Sequence, residues 1–151
     1  MSSLRLAHDT VRLEQLIAAP LATVWQAYAD TAMRCRWAVP AGQQMVFDAD
    51  DFRTNGRARY RCGTPGELEF SAEMHYHVVE PEEAVVYTET VRIGEQILDT
   101  GLVSWELALE DEGVCLTVTD QVTSFVGPDT FEDHRAGHTL ALQQLATLLE
   151  D

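Results

Sequence analysis

"LIAAPLATVWQAYAD", residues 16–30, sets two periodicities side by side. Its first residues end the run "TVRLEQLIA" (10–18), where Val11, Leu13 and Ile17 fall on one side of a two-residue alternation, the mark of a half-buried strand. Pro20 halts that run. Proline has no backbone N–H to lose, so it suits the first position of a helix. Leu21, Val24, Trp25 and Tyr28 then follow at helical spacing and make one apolar face. Thr31 is placed to cap a second short helix that ends near Trp37 and Pro40. The chain therefore opens with a strand and two short helices.

From residue 44 the period returns to two. "MVFDADDF", "RARYRC", "LEFSAEMHYHVV", "AVVYTETVRI", "LVSWELALE" and "VCLTVTDQVTSF" read as six further strands. They are separated by Asn55-Gly56, Thr64-Pro65-Gly66, Glu80-Pro81-Glu82-Glu83, Gly94-Glu95 and Glu112-Gly113. Connections this short imply hairpins and hence an antiparallel meander. The last element, "TFEDHRAGHTLALQQLATLLE", reads as a long helix, with Thr130 and Asp133 resembling a capping box. Its apolar stripe runs through Phe131, Ala141, Leu142, Leu145, Leu148 and Leu149, and His134 and His138 lie on the same side.

A seven-stranded antiparallel sheet must bury one face, and only the long helix is large enough to cover it. The expected class is α+β with a helix-grip architecture: a curved antiparallel sheet, two short helices after strand one, and a C-terminal helix across the sheet. A curved sheet wrapped around one helix leaves space between them. One domain spanning residues 1–151 is expected, a length that buries about 70% of the unfolded chain's surface.

The "AP-x3-VW-x-A" of residues 19–27 resembles the entry of START-like helix-grip domains, the birch-pollen-allergen-like architecture. More narrowly, the chain resembles stand-alone bacterial relatives of the activator of the ninety-kilodalton heat-shock chaperone ATPase. The features that carry this are Trp37 closing the second short helix, Asp51 with Asn55-Gly56 before strand three, "VVEPEEAVVYTE", "LEDEGVCLTVT" and the ending "GHTLALQQLATLLE". His138 stands where an aromatic residue, often tryptophan, is common in that group, and Glu112-Gly113-Val114-Cys115 replaces a usual Gly-Gly-Thr. The resemblance implies a cavity-bearing fold whose members bind lipids, hormones or aromatic polyketides, or act as cyclases and aromatases. The eukaryotic chaperone activators carry a further N-terminal domain, so chaperone activation is not carried over.

Composition narrows the partners. A net charge of −15, spread along the chain, opposes phosphate backbones and anionic membrane surfaces, so neither nucleic acid nor membrane is expected. All ten basic residues are arginine. Without lysine there is no Schiff-base chemistry and no P-loop. Cys35, Cys62 and Cys115 show no ligand spacing and suit reduced thiols. No stretch has the length of a membrane span or the core of a signal peptide, so a cytoplasmic location is expected. A G-x-S-x-G, a G-x-G-x-x-G, an H-E-x-x-H and an EF-hand loop are all lacking. No cofactor is expected, and a homodimer stays open.

Two histidine pairs invite a metal reading: His75 and His77 on one face of a strand, His134 and His138 four apart on a helix. Leu68, Phe70, Ala72, Met74, Tyr76 and Val78 form the apolar face of that strand, which turns His75 and His77 outward, and no metal site is expected. Trp37, Tyr60, Met74, Tyr76, Tyr87, Glu89, Trp105, Phe131, His134 and His138 are the candidate ligand-binding residues. Weaker catalytic candidates are His138, Glu89 and Asp120, because a carboxylate among apolar residues with a histidine opposite suffices for proton transfer. Arg57, Arg59 and Arg61 alternate on strand three and read as an exposed stripe paired with acids. The expected activity is binding of a small apolar or aromatic molecule between sheet and helix. The alternatives are a cyclase, aromatase or dehydratase and a protein-interaction module.

Overall fold

In the computed structural model, which describes residues 4–150, the order is β1 (Ala7–Ile17), α1 (Leu21–Ala29), α2 (Thr31–Trp37), β2 (Gln44–Asp50), β3 (Arg57–Thr64), β4 (Glu67–Glu80), β5 (Ala84–Ile93), β6 (Gln96–Glu110), β7 (Gly113–Ser124) and α3 (Thr130–Leu149). The ends of the expected 1–151 domain, residues 1–3 and 151, lie outside the described residues. All seven strands join one sheet in the order β1-β7-β6-β5-β4-β3-β2, every pair antiparallel. Strands β2 to β7 are a meander. β1 pairs with β7 at one edge, and α1 and α2 carry the chain from it to β2 at the other. This is the helix-grip α+β architecture.

The local signals explain these elements with small shifts. Pro20 sits at the N-cap of α1 with extended backbone (φ −63°, ψ 149°), one residue before the position expected for it. Asp30, not Thr31, caps α2: its Oδ1 accepts from the Met33 backbone N–H at 3.2 Å. Thr31 is thereby free to donate to Asp50 Oδ2 at 2.7 Å. At α3 the N-cap is Asp129, which makes no side-chain cap bond, so Thr130 and Asp133 do not form the expected capping box.

Two β-bulges re-aim side chains. The β2–β3 register shifts between Phe47 and Ala49, and Asp50 consequently turns inward. The β4–β5 register shifts between Tyr76 and Val78. That bulge at His77 breaks the alternation, so Val78 is 41% exposed rather than on the apolar face, and Val79 packs on the core. Gly56 is required on steric grounds, because a Cβ there would collide with the Asp51 carbonyl.

The core gathers between the concave sheet and the helices. Tyr28, Trp37 and Trp105 pack ring on ring, with centroids 5.2–5.8 Å apart, and the Trp37 indole donates to the Ala27 carbonyl at 3.0 Å. In α3 the fully buried residues are Ala141, Leu142, Leu145 and Ala146, all in its C-terminal half. The N-terminal half of the helix has no residue buried to that degree, and a cavity lies beneath it. No helix among the described residues is long and apolar enough to cross a membrane.

Candidate functional site

A cavity of about 390 Å³ lies between the sheet and the N-terminal half of α3. Its roof is one helical face, Thr130, Asp133, His134, Gly137, His138 and Ala141, at the i, i+3, i+4, i+7, i+8, i+11 spacing of a single stripe. Small side chains at 137 and 141 keep that roof clear. The floor and walls are aromatic and apolar: Met74 of β4, Tyr87 and Val91 of β5, Trp105 of β6, Phe47 and Tyr60 of β2 and β3, and Trp37 at the end of α2.

Polar groups meet at the junction of α3 with β6 and β7. Alternation along β6 turns Asp99, Gly101, Val103 and Trp105 to the inner face, and alternation along β7 does the same for Asp120. His134 Nδ1 lies 2.8 Å from Asp120 Oδ2, and His138 Nε2 lies 2.9 Å from the same oxygen. The other nitrogen of His134, Nε2, lies 3.1 Å from Asp99 Oδ2. A carboxylate only accepts, so an imidazole whose two nitrogens both face carboxylates donates from both and is the imidazolium.

Charge shifts follow. Burial pushes the His134 imidazolium down, but hydrogen bonds to Asp120 and Asp99 and their charges outweigh it and hold the ring at about 10. Burial pushes the Asp120 carboxyl up, and the two histidine hydrogen bonds reverse this to about 2. Asp120 is 2% exposed, and its Oδ1 has no hydrogen-bond partner. That oxygen rests over Gly101, where a Cβ would come within 2.6 Å of it.

Glu89 also faces the cavity. It accepts a hydrogen bond from the Tyr60 hydroxyl at 2.9 Å. Enclosure raises its carboxyl, as does the Asp120 charge, and the Tyr60 bond and the histidines offset only part, leaving it at about 7. Burial lifts the phenols of Tyr60 and Tyr87 well above their usual range, so both remain hydroxyls. Trp105 Nε1 donates to the Tyr87 hydroxyl at 3.4 Å.

Of the expected residues, Trp37, Tyr60, Met74, Tyr87, Glu89, Trp105, His134, His138 and Asp120 line the cavity together. Two do not. Tyr76 is fully buried, its ring edge-on to Phe52 and its hydroxyl donating to Asp50 Oδ1 at 2.7 Å, so it belongs to a buried ion-pair network. Phe131 is half-buried and stands one residue, about 100°, round α3 from Thr130, at the edge of the roof stripe. The two histidine pairs stay apart: His75 and His77 stack on each other at 4.3 Å on the outward side of β4, and His77 bonds Thr88. Arg61 pairs with Asp48 at 2.9 Å at the surface, as the exposed-stripe reading requires.

Beyond lining residues such as Phe47, Val91 and Gly137, three contributors outside the expected set shape the polar part of the site. Arg34 is 4% exposed, pairs with Asp50 at 3.2 Å, donates to the Tyr28 carbonyl and the Tyr76 hydroxyl, and stacks on Tyr28, Phe47 and Phe52. Asp99 and Gly101 precede the expected start of their strand at Leu102. Their signal was the alternation itself, which runs unbroken back from Trp105 to Asp99.

Residues 18–150 match the family model described as activator of Hsp90 ATPase homolog 1-like protein. The chain belongs to this family. Its fold is that of an uncharacterized protein from Rhizobium leguminosarum (TM-score 0.85, 23% identity, 97% of each chain). Mll3558 from Rhizobium loti is similar at TM-score 0.83 and 27% identity, over 95% of this chain and 98% of that one. DynU16, a protein of the dynemicin biosynthetic locus, matches at TM-score 0.71 and 23% identity, over 94% of this chain and 47% of its own. No curated protein matches.

Proposed function

We propose that this protein binds a small, mostly apolar or aromatic molecule in the cavity under α3. The observation that carries this reading is the cavity itself. Its volume falls within the roughly 300–1,000 Å³ of small-molecule sites, whereas a core packed to ordinary density would hold no such space. Aromatic and aliphatic walls supply affinity through burial, and a few polar groups at one end set orientation. Those groups are His138, Glu89 and the hydroxyls of Tyr60 and Tyr87. A ligand with an apolar body and an oxygen substituent matches this division.

The test is native mass spectrometry of the purified protein, with the same sample denatured. An adduct of a few hundred daltons that is lost on denaturation supports enclosure. A clean protein mass, together with no saturable change in tryptophan fluorescence when naphthol-sized phenols are titrated in, overturns it.

A second reading has its own observation. Glu89, poised near neutrality, and the His138–Asp120 pair at 2.9 Å place proton donors and acceptors around one apolar space, as a cyclase or dehydratase needs. In deuterated water, this reading expects accelerated exchange of the α-protons of a bound aryl ketone, abolished by Glu89→Gln. Exchange at the buffer rate contradicts it.

A further inference from the structure

We propose that His134 Nδ1, His138 Nε2 and Asp120 Oδ2 form a binding site for one divalent first-row transition ion, of which Zn²⁺ is representative, with Asp99 as the positioning residue. This goes beyond ligand enclosure and stands on different observations.

The two histidines are four apart on α3, and α3 is fixed by Ala141, Leu142 and Leu145 in the core. The helix therefore presents both rings to one point. β7 brings Asp120 to that point from the opposite side, and the three donor atoms all lie within 4.8 Å of one another. Both nitrogens lie 2.8–2.9 Å from the carboxylate oxygen, at hydrogen-bond spacing; a tetrahedral ion with bonds of about 2.0–2.2 Å sets neighbouring donors about 3.3–3.6 Å apart, so an outward shift of about half an ångström, with loss of the bridging protons, admits it.

Two further features fit an ion. The distal nitrogen of His134 faces Asp99 at 3.1 Å, the carboxylate–histidine arrangement that fixes the tautomer and orientation of a metal-ligating imidazole. Asp120 Oδ1 is buried without a partner, so the carboxylate holds acceptor capacity that nothing among the described residues uses. An ion is ligated by neutral imidazole, so binding releases the His134 proton; the two carboxylates then sum to −2, which one divalent ion cancels. Two nitrogens and one oxygen disfavour Ca²⁺ and Mg²⁺, which want oxygen donors. Three protein ligands at a cavity wall leave coordination positions open to a ligand, as in catalytic rather than structural sites.

Cobalt titration of the chelator-stripped protein tests this, because Co²⁺ at a site of low coordination number gives intense visible bands. The expected result is saturation at one ion per chain, displaced by Zn²⁺. His138→Ala should abolish the bands, and Asp99→Asn should weaken affinity by about 10–100-fold with the bands shifted but present. Doubly substituting His75→Ala and His77→Ala should leave the titration unchanged, since that stacked surface pair is the competing adventitious site. Binding that survives His138→Ala, that disappears with the surface double variant, or that never gives bands overturns the proposal. Circular dichroism shows whether each variant folds, and His138→Gln replaces the alanine variant if that one does not.

Discussion

Replacing Glu89 by glutamine removes a charge that the fold must otherwise hold inside its cavity wall. Burial holds the native carboxyl at about 7, against the ordinary glutamate value of 4.5. Below 4.5 both folded and unfolded chains keep the proton and there is no cost. Between 4.5 and 7 the folded chain holds a proton that the unfolded chain releases, so stability falls as pH rises; above 7 the loss is complete. At 1.36 kcal/mol per unit the full cost is about 3 kcal/mol, of which roughly 2–3 kcal/mol develops between pH 5 and pH 8.5. Glutamine is close in shape and still accepts from the Tyr60 hydroxyl, so packing and the hydrogen bond persist. Urea unfolding of both proteins at the two pH values reads the difference directly. With a slope of about 1–3 kcal/mol per molar, the glutamine variant's midpoint should exceed that of the parent by about 1–2 M more at pH 8.5 than at pH 5. A difference between the two proteins that stays constant across that range refutes the enclosed, uncharged Glu89.

Other expectations concern neighbouring groups. Arg34→Met strands Asp50 without its cation and should cost about 3–5 kcal/mol in chemical unfolding, and Arg34→Lys should recover little, since a single ammonium cannot serve Tyr28, Asp50 and Tyr76 together. Gly101→Ala drives a methyl into Asp120 Oδ1; about 1–3 kcal/mol should be lost in urea, and the His134 and His138 ring resonances should move in NMR spectra. Gly137→Ala meets nothing within 4 Å and should stabilise α3 and the protein by about 1 kcal/mol, seen as a raised Tm.

The fold was legible because its signals are periodic and punctuated. Six alternating runs from residue 44 onward, broken by Gly, Pro and Asn turns, imply a meander, and a single amphipathic helix at the end has one apolar face to cover. Details that depend on choosing between adjacent candidates were not legible. Asp30 and Thr31 are both competent caps, and tertiary demand from Asp50 on Thr31 decides between them. Tyr76 reads as a cavity residue by alternation, but the bulge beside it and the pull of Arg34 and Asp50 place it elsewhere. The expected strand begins at Leu102, and so leaves out Gly101 and Asp99, which β6 contains. The value of Gly101 is visible only once Asp120 arrives from β7. His134 and His138 were legible as a helical pair; that both reach one aspartate follows from the seating of α3 against β7, which no local pattern reports.

The central claim is that the space under α3 receives a small aromatic or apolar molecule. Amide and indole NMR spectra of the isotopically labelled protein, recorded as naphthol is titrated in, test it most directly. The account predicts saturable shifts at the Trp105 indole N–H and at the backbone amides of Glu89, Gly137 and His138, with the outward face of β4 at His75 and His77 unmoved. Shifts confined to that outer face, or none up to the solubility limit of the probe, would contradict it.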